Sequence, residues 1–211
     1  MLEHPSSRSL IEEVKNLALL FLSDNATRAD NQQGRPKMQE VDLETGNYVA
    51  GFADGEGCFY VGVHPTSNVS LGLQVVPEFH VSQNGERISV LRLFLESLGC
   101  GSIKRNAATS SSDRTYVLVV KRHRDLYERV VPFFERFPLR SEKQQEYLKF
   151  ARVVEMMHNK DHLTREGLKR ILKVAFSMNG SKFRKHRLTS LLQNLEPSET
   201  ICQVPALQVK I

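Results

Sequence analysis

Two glycines four residues apart, followed at once by two acids, constrain this chain more than any other feature. They lie in residues 49–57, which read VAGFADGEG. On a helix, residues i and i+4 share a face, so Gly51 and Gly55 leave that face without side chains. A helical glycine costs up to about 1 kcal/mol relative to alanine, so the pair indicates that another backbone approaches closely there. If that backbone belongs to a second such helix, the acidic ends of the two helices, Asp54 and Glu56, converge and can hold divalent cations through hard oxygen ligands.

The composition narrows the class of protein. The chain has 211 residues, of which 40% are hydrophobic and 25% charged, so it can bury a core and wholesale disorder is not expected. A formal net charge of +5 weakly favours a polyanionic partner such as nucleic acid. The three cysteines form no CxxC pair, so neither a disulfide framework nor a zinc cluster is predicted. No membrane association is expected either, because the longest apolar run near the N-terminus, residues 17–22, is far shorter than the ~20 residues of a membrane span.

The apolar pattern predicts a helix, two strands, a helix, two strands and then further helices. Helices are predicted over 47–54, 125–134 and 141–157, with another on the stripe Ile88, Leu91, Leu95, Leu98 and a last one capped by Thr164. Strands are predicted over 58–64, 71–83, 102–106 and 114–121, and Pro77 indicates a bulge or an edge position in the second. This order predicts an α+β fold, a four-stranded antiparallel sheet with helices on one face.

Several segments of the chain resemble the LAGLIDADG homing endonuclease family. The resemblance rests on AGFADGEG at 50–57, CFYV at 58–61, FHVSQ at 79–83, PLRSEK at 138–143 and residues 162–168, and it extends over about residues 46–180. It implies the αββαββα fold with a saddle-shaped sheet. Residues 46–180 are accordingly predicted to be the endonuclease domain, 1–45 an N-terminal extension and linker, and 181–211 a basic C-terminal extension.

The resemblance also implies roles for individual residues. Glu56 matches the acid that binds the catalytic Mg²⁺, and the Gly55 carbonyl matches a position that can add a ligand. Many homodimeric members have Asp where this chain has Glu56. Asp54 matches the preceding acid, which either joins the metal site or caps a helix. The remaining active-site positions, which act on water and near the phosphate, match Gln83, Arg87 and Lys143, with Arg140 as the rival of Lys143.

DNA contacts are expected on the sheet and in the C-terminal part. The strand residues predicted to enter the major groove, where each base pair presents a distinct pattern, are Tyr60, His64, Gln74, Glu78, His80, Lys104, Asn106, Arg114 and Thr115. The basic residues that could contact phosphates are Lys182, Arg184, Lys185 and Arg187, with a solvated basic helix as the alternative. Arg140 also counts among the predicted DNA contacts.

A single motif copy implies a homodimer, because a double-strand break needs two active sites. Ala50, Gly51 and Gly55 are predicted to form the dimer interface, and a twofold-symmetric protein reads a pseudo-palindromic site in double-stranded DNA. No small-molecule cofactor is expected. An intracellular location follows, either organellar or in a bacterial cytoplasm. Two alternatives remain open: an RNA maturase that assists intron splicing, and a non-catalytic DNA-binding regulator on the same fold.

Overall fold

The computed structural model of the protein describes residues 40–106, 114–178, 188–193 and 195. All of them belong to the compact unit Met38–Ile211. The expectations for most of the N-terminal extension and for Lys182, Arg184, Lys185 and Arg187 lie outside these residues. The domain limits of 46–180 therefore stay a prediction.

Within the described residues as far as Ser177, four strands and six helices follow one another in the predicted order. They are α1 Leu43–Glu56, β1 Gly57–Pro65, β2 Leu73–Asn84, α2 Ile88–Leu98, β3 Ser102–Arg105, β4 Thr115–Val120, α3 His123–Asp125, α4 Val131–Arg136, α5 Lys143–His158 and α6 Arg165–Ser177. Short 3₁₀ turns precede α2 and α6, and residues 188–193 are again helical. Within the described residues, no helix has the length and apolarity needed to cross a lipid bilayer.

The sheet is open and antiparallel, with the strand order β1-β2-β4-β3. Side chains alternate between its faces, and Phe59, Phe79 and Leu118 point into the core. Phe59 lies at the centre of an aromatic cluster, 5.0 Å from the Phe79 ring and 5.3 Å from those of Phe134 and Tyr147. The predicted α+β fold, with helices covering one face of a four-stranded sheet, is confirmed.

Helix α1 is longer than the helix predicted over 47–54. It begins at Leu43 because the Asp42 side chain accepts a hydrogen bond from the Thr45 amide at 2.8 Å, which satisfies one of the unpaired donors of the first turn. One face of the helix is buried against the rest of the domain. On that face Gly46 lies so close to Phe137 that a Cβ there would overlap the ring.

Pro77 lies in β2 without interrupting the strand. It pairs with Val61 in an unbroken register, but the pairing of β2 with β4 starts only at Phe79. Pro77 therefore occupies an edge position and forms no bulge.

The helix predicted over 125–134 begins earlier, at His123, and contains a π turn over Leu126–Val130. Pro132 follows this turn and has no amide hydrogen to donate, which favours the wider turn before it. Thr164 caps α6 as predicted, accepting from the Gly167 amide.

Candidate active site

The C-terminal end of α1 carries a bound ammonium group. Lys143 Nζ donates to the carbonyl oxygens of Gly55 at 2.9 Å and Ala53 at 3.2 Å. The last carbonyls of a helix have few partners within the helix, and the helix dipole makes this end negative. A cation therefore finds both hydrogen-bond acceptors and a favourable field here. Lys143, at the first residue of α5, is thus the lysine that lies beside the acidic motif.

Asp54 anchors the loop that leads into α5. Its Oδ2 accepts from the amides of Arg140 and Ser141, both at 2.9 Å, and its Oδ1 accepts from the Ser141 hydroxyl. Partial burial raises the pKa of Asp54, but the hydrogen bonds of Ser141 and Arg140 and the Lys143 charge outweigh it and hold that pKa below its ordinary value of 3.8. Both oxygens of Asp54 thus bind the loop before α5, so the geometry favours an anchoring role for Asp54 over a role as metal ligand.

Glu56, the last residue of α1, is exposed at the same helix end. Its carboxylate and the Gly55 carbonyl are hard oxygen donors, the type that Mg²⁺ and Ca²⁺ prefer. The Lys143 ammonium uses one lone pair of the Gly55 carbonyl, so a metal ion that shared this oxygen would bind beside a positive charge. The Glu56 carboxylate and the second lone pair of that carbonyl are the oxygen donors that fit a divalent cation here. Among the described residues, no three His, Cys, Asp or Glu side chains form a metal-binding group of their own.

The other two predicted catalytic residues lie at the end of β2. Gln83 stands two residues beyond Val81, the partner of Gly57, so it is close in register to the end of α1. Its side-chain oxygen accepts from the Asn84 amide at 2.7 Å. Arg87 lies exposed in the 3₁₀ turn that follows the strand. Arg140 contributes its backbone amide to the Asp54 anchor, and its side chain is exposed.

The outer face of α1 is free of side chains at two places, as predicted. Gly51 and Gly55 are exposed, and a Cβ built on either meets no atom of the described residues within 4 Å. Tyr48, 55% exposed, lies on the same side of the helix one turn earlier. Ala50 is a correction: it is 3% exposed and packs in the core of its own domain, because it shares the inward face with Gly46 and Ala53 at helical spacing.

The sheet face opposite the helices carries most of the predicted DNA contacts. Paired residues share a face, and the register places these side chains together: Tyr60 with Glu78, His64 with Gln74, Cys58 with His80, and Asn84 with Thr115. Lys104 belongs to the same face through its pairing with Val117, and Asn106 follows it at the same parity. His64, Gln74, Lys104 and Asn106 are exposed.

Arg114 does not share this face, which corrects the prediction. It precedes Thr115 by one residue, so the alternation of a strand turns the two side chains to opposite sides. Arg114 lines a surface pocket with Arg105, Tyr116 and Glu86, and its guanidinium lies 3.8 Å from the Glu86 carboxylate. Arg105 and Tyr116 pair with each other on the side of the sheet that faces the helices.

Glu78 lies on the predicted face but is only 9% exposed. Its two oxygens contact Lys121 Nζ at 2.6 Å and His80 Nε2 at 2.7 Å. Burial raises the pKa of Glu78, but the hydrogen bonds and charges of Lys121 and His80 outweigh it and hold that pKa below its ordinary value of 4.5.

Ser141 and Lys121 were not among the predicted site residues. Ser141 has no sequence signature for its contact with Asp54, 87 residues away. Lys121 could have been found, because it has the same parity as Thr115 and Val119 at the end of the predicted fourth strand.

Known proteins resemble this chain in sequence and in fold. A family model described as LAGLIDADG endonuclease matches residues 49–154. The DNA endonuclease I-CeuI of Chlamydomonas moewusii is 31% identical over 132 residues, which are 61% of this chain and 59% of that protein. The crystal structure of the homing endonuclease I-TnaI is 37% identical with a TM-score of 0.63, over 75% of this chain and 100% of that chain. I-SmaMI, bound to an uncleaved DNA target in the presence of calcium ions, is 30% identical with a TM-score of 0.61, over 70% of this chain and 49% of that chain.

This chain spans less than two thirds of the length of the curated relatives that it matches. The matched region nevertheless includes residues 49–56 of helix α1 with Gly51 and Gly55, all four strands and the lysine that contacts the end of α1. Sequence and fold agree, and the chain belongs to the LAGLIDADG endonuclease family.

Proposed function

We propose that this protein is a sequence-specific endonuclease that hydrolyses both strands of a long, pseudo-palindromic DNA site as a homodimer with Mg²⁺. One observation carries the proposal: the end of α1 combines the exposed Glu56 carboxylate, the Gly55 carbonyl and the Lys143 ammonium directly beside a helix face without side chains. Two such helices packed through Gly51 and Gly55 would bring two of these ends close to the axis of a dimer.

The metal requirement is argued from the donors and from the family. LAGLIDADG endonucleases depend on divalent metal ions, and I-SmaMI has been crystallised on DNA with calcium. A divalent ion bound at such a site supplies an activated water and neutralises charge on the scissile phosphate. Proteins commonly bind Mg²⁺ through one or two carboxylates, and phosphate oxygens and water complete its coordination shell. The end of α1 offers one such carboxylate, the exposed Glu56.

The side chains around this end have complementary tasks. Glu56 and the Gly55 carbonyl hold the ion, and Lys143 places positive charge where the phosphate gains negative charge in the transition state. Gln83, close in register to the end of α1, orients water through its amide, and Arg87 in the turn after β2 contacts a phosphate near the cut. Asp54 holds the loop from which Lys143 projects.

DNA recognition is assigned to the open sheet face. I-SmaMI is bound to a DNA target, and an antiparallel sheet with one open face offers every second side chain of each strand to the major groove. His64, Gln74, Lys104 and Asn106 are exposed on this face and can contact base edges. A substrate of genomic DNA implies action inside the cell.

The decisive test replaces Glu56 with Gln, which keeps the shape of the side chain and removes its charge. We expect Glu56→Gln to lose double-strand cleavage in magnesium, while its affinity for the same DNA stays within a few-fold of wild type. The substrate is the uninterrupted allele of the gene that surrounds this reading frame. Cleavage is followed on gels and binding by fluorescence anisotropy.

Glu44→Gln is the matched control, because it removes the same charge from the first turn of the same helix. It should cleave like wild type. Full activity of Glu56→Gln in magnesium would refute the assigned role.

A further inference from the structure

Glu78, Lys121 and His80 form a connected group in the middle of the open sheet face. Glu78 is the sixth of twelve residues of β2, and the next pair beyond Phe79 and Val120 in the register would be Glu78 and Lys121. His80 lies two residues along β2 on the same face and pairs with Val119, which is 5% exposed. The carboxylate thus sits next to apolar surface between two basic side chains.

The three side chains differ in what they can offer to a ligand. The side-chain exposure is 12% for Glu78, 29% for His80 and 53% for Lys121. A buried carboxylate must be paired, and both oxygens of Glu78 already have a partner. Lys121 has three N–H donors and uses one on Glu78, so two remain for a ligand above the sheet.

The hydrogen bond to Glu78 also orients the His80 ring. An ionised carboxylate only accepts, so the proton of this bond belongs to His80 Nε2. The second ring nitrogen, Nδ1, takes no part in this bond. Glu78 therefore holds the Lys121 ammonium and the His80 ring side by side.

We propose that Lys121 reads a guanine in each half-site, that His80 contacts a neighbouring base through Nδ1, and that Glu78 is the positioning residue that holds both. Guanine presents two acceptors, O6 and N7, in the major groove, and Lys is one of the two side chains that pair with them. Phosphates lie along the rims of the groove, whereas this group lies in the middle of the face. The inference rests on the proposed function, because it requires DNA on this face.

The test selects DNA ligands for wild type and variants. The full-length protein is incubated in calcium with a library of randomised DNA duplexes, and the bound fraction is sequenced. Wild type should enrich a two-fold symmetric sequence. Lys121→Met should lose the preference for guanine at one position of each half-site by about 10-fold, with the other positions unchanged. Lys121→Arg should keep that preference, because Arg also pairs with O6 and N7 of guanine.

Glu78→Gln tests whether Glu78 positions both side chains. It should weaken the base preference at the base pair that Lys121 contacts and at the neighbouring pair that His80 contacts, although neither Lys121 nor His80 is changed. Lys104→Met is the matched control, because Lys104 lies on the same face but on β3. It should change the base preference only at a base pair that Lys121 and His80 do not contact. Circular dichroism melting of each variant establishes that it is folded.

Two results would overturn the inference. If Lys121→Met binds all sequences more weakly and lowers the slope of log K against log salt by about 1, Lys121 contacts a phosphate. If Lys121→Arg loses the guanine preference as well, the side chain has no reading role. A wild type that enriches no sequence, by contrast, would refute the proposed function itself.

Discussion

Asp54 connects the end of α1 with the start of α5. It stands two residues before Glu56, the proposed metal ligand, and its carboxylate accepts from Arg140 and Ser141. Ser141 Oγ in turn accepts from the Lys143 amide, and Lys143 Nζ donates to the Gly55 carbonyl. The contacts form a closed ring of hydrogen bonds between the two helix ends. In the proposed active site, Asp54 therefore acts through the position of Lys143.

This ring of hydrogen bonds predicts a dependence of stability on pH. Because the pKa of Asp54 is lowered from 3.8 in the folded state, its contribution is complete above that value and is lost as the pH falls through the folded-state pKa. Asp54→Asn should therefore lower the free energy of unfolding at neutral pH by roughly 1–3 kcal/mol. The difference from wild type should shrink in acid. Urea unfolding between neutral pH and pH ~2 measures both.

Ser141→Ala is the graded comparison for that experiment, since it removes one of the three bonds to Asp54 and leaves both amide donors. It should cost less than Asp54→Asn. A loss for Asp54→Asn that is equal at neutral and acid pH would contradict the ionic character of the anchor.

The two faces of helix α1 differ in the space that they leave for a side chain. On the inward face a side chain at Gly46 would overlap Phe137, whereas on the outward face a Cβ at Gly51 meets none of the described residues within 4 Å. The inward glycine serves the packing of one protomer. The outward glycine has no such reason in the part of the protomer that the structure describes, which is why it indicates a partner.

The two glycines should respond differently to alanine. Gly46→Ala should destabilise the protein by about 1–3 kcal/mol, because the ring of Phe137 must move in a packed core. Gly51→Ala should leave the stability of the protomer unchanged or raise it by up to about 1 kcal/mol, the helix preference of alanine over glycine. Thermal unfolding at a protein concentration too low for association compares them. Equal destabilisation by both would mean that Gly51 also packs within the protomer.

If the proposal holds, one chain alone cannot make a double-strand break, because its one motif supplies one active site. A single catalytic end can cut one strand, and the exposed face of α1 with Gly51, Gly55 and Tyr48 is where the second chain would pack. Association and double-strand cleavage should therefore be lost together.

Light scattering at micromolar concentration should give the mass of a dimer for the wild type. Gly51→Leu should shift the mass to that of a monomer and abolish double-strand breaks, because a leucine keeps the two backbones apart. Lys173→Leu, which puts the same side chain on an exposed position of α6, should remain dimeric and active. A monomeric wild type that still breaks both strands would contradict the homodimer.

Much of the fold was predictable because it depends on short-range patterns. The alternation in β1 and β2, the stripe of α2 and the cap at Thr164 are all encoded within a few residues of each other. The errors concerned the start of a helix and the sheet face of one residue. Helix α1 begins at Leu43 because Asp42 caps it, and Arg114 was assigned to the same sheet face as its neighbour Thr115.

The candidate site was predictable only in part. The motif itself identified Glu56 and Gly55, and its resemblance to a known family indicated Gln83 and Arg87. The choice between Lys143 and Arg140 depended on which of them reaches the end of α1, a contact between residues 88 positions apart. The interface role of Ala50 failed because helical spacing alone does not say which face is turned inward.

The sequence by itself determined the order of the strands and helices, the glycine face and the acid that ends α1, because each of these is a property of neighbouring residues. Only the tertiary structure decided that Asp54 holds the α5 loop, that Lys143 rests on the Gly55 carbonyl and that Glu78 is buried between Lys121 and His80. These contacts join groups that are distant in the sequence. Their hydrogen bonds form only when packing has brought donor and acceptor atoms within about 3 Å of each other.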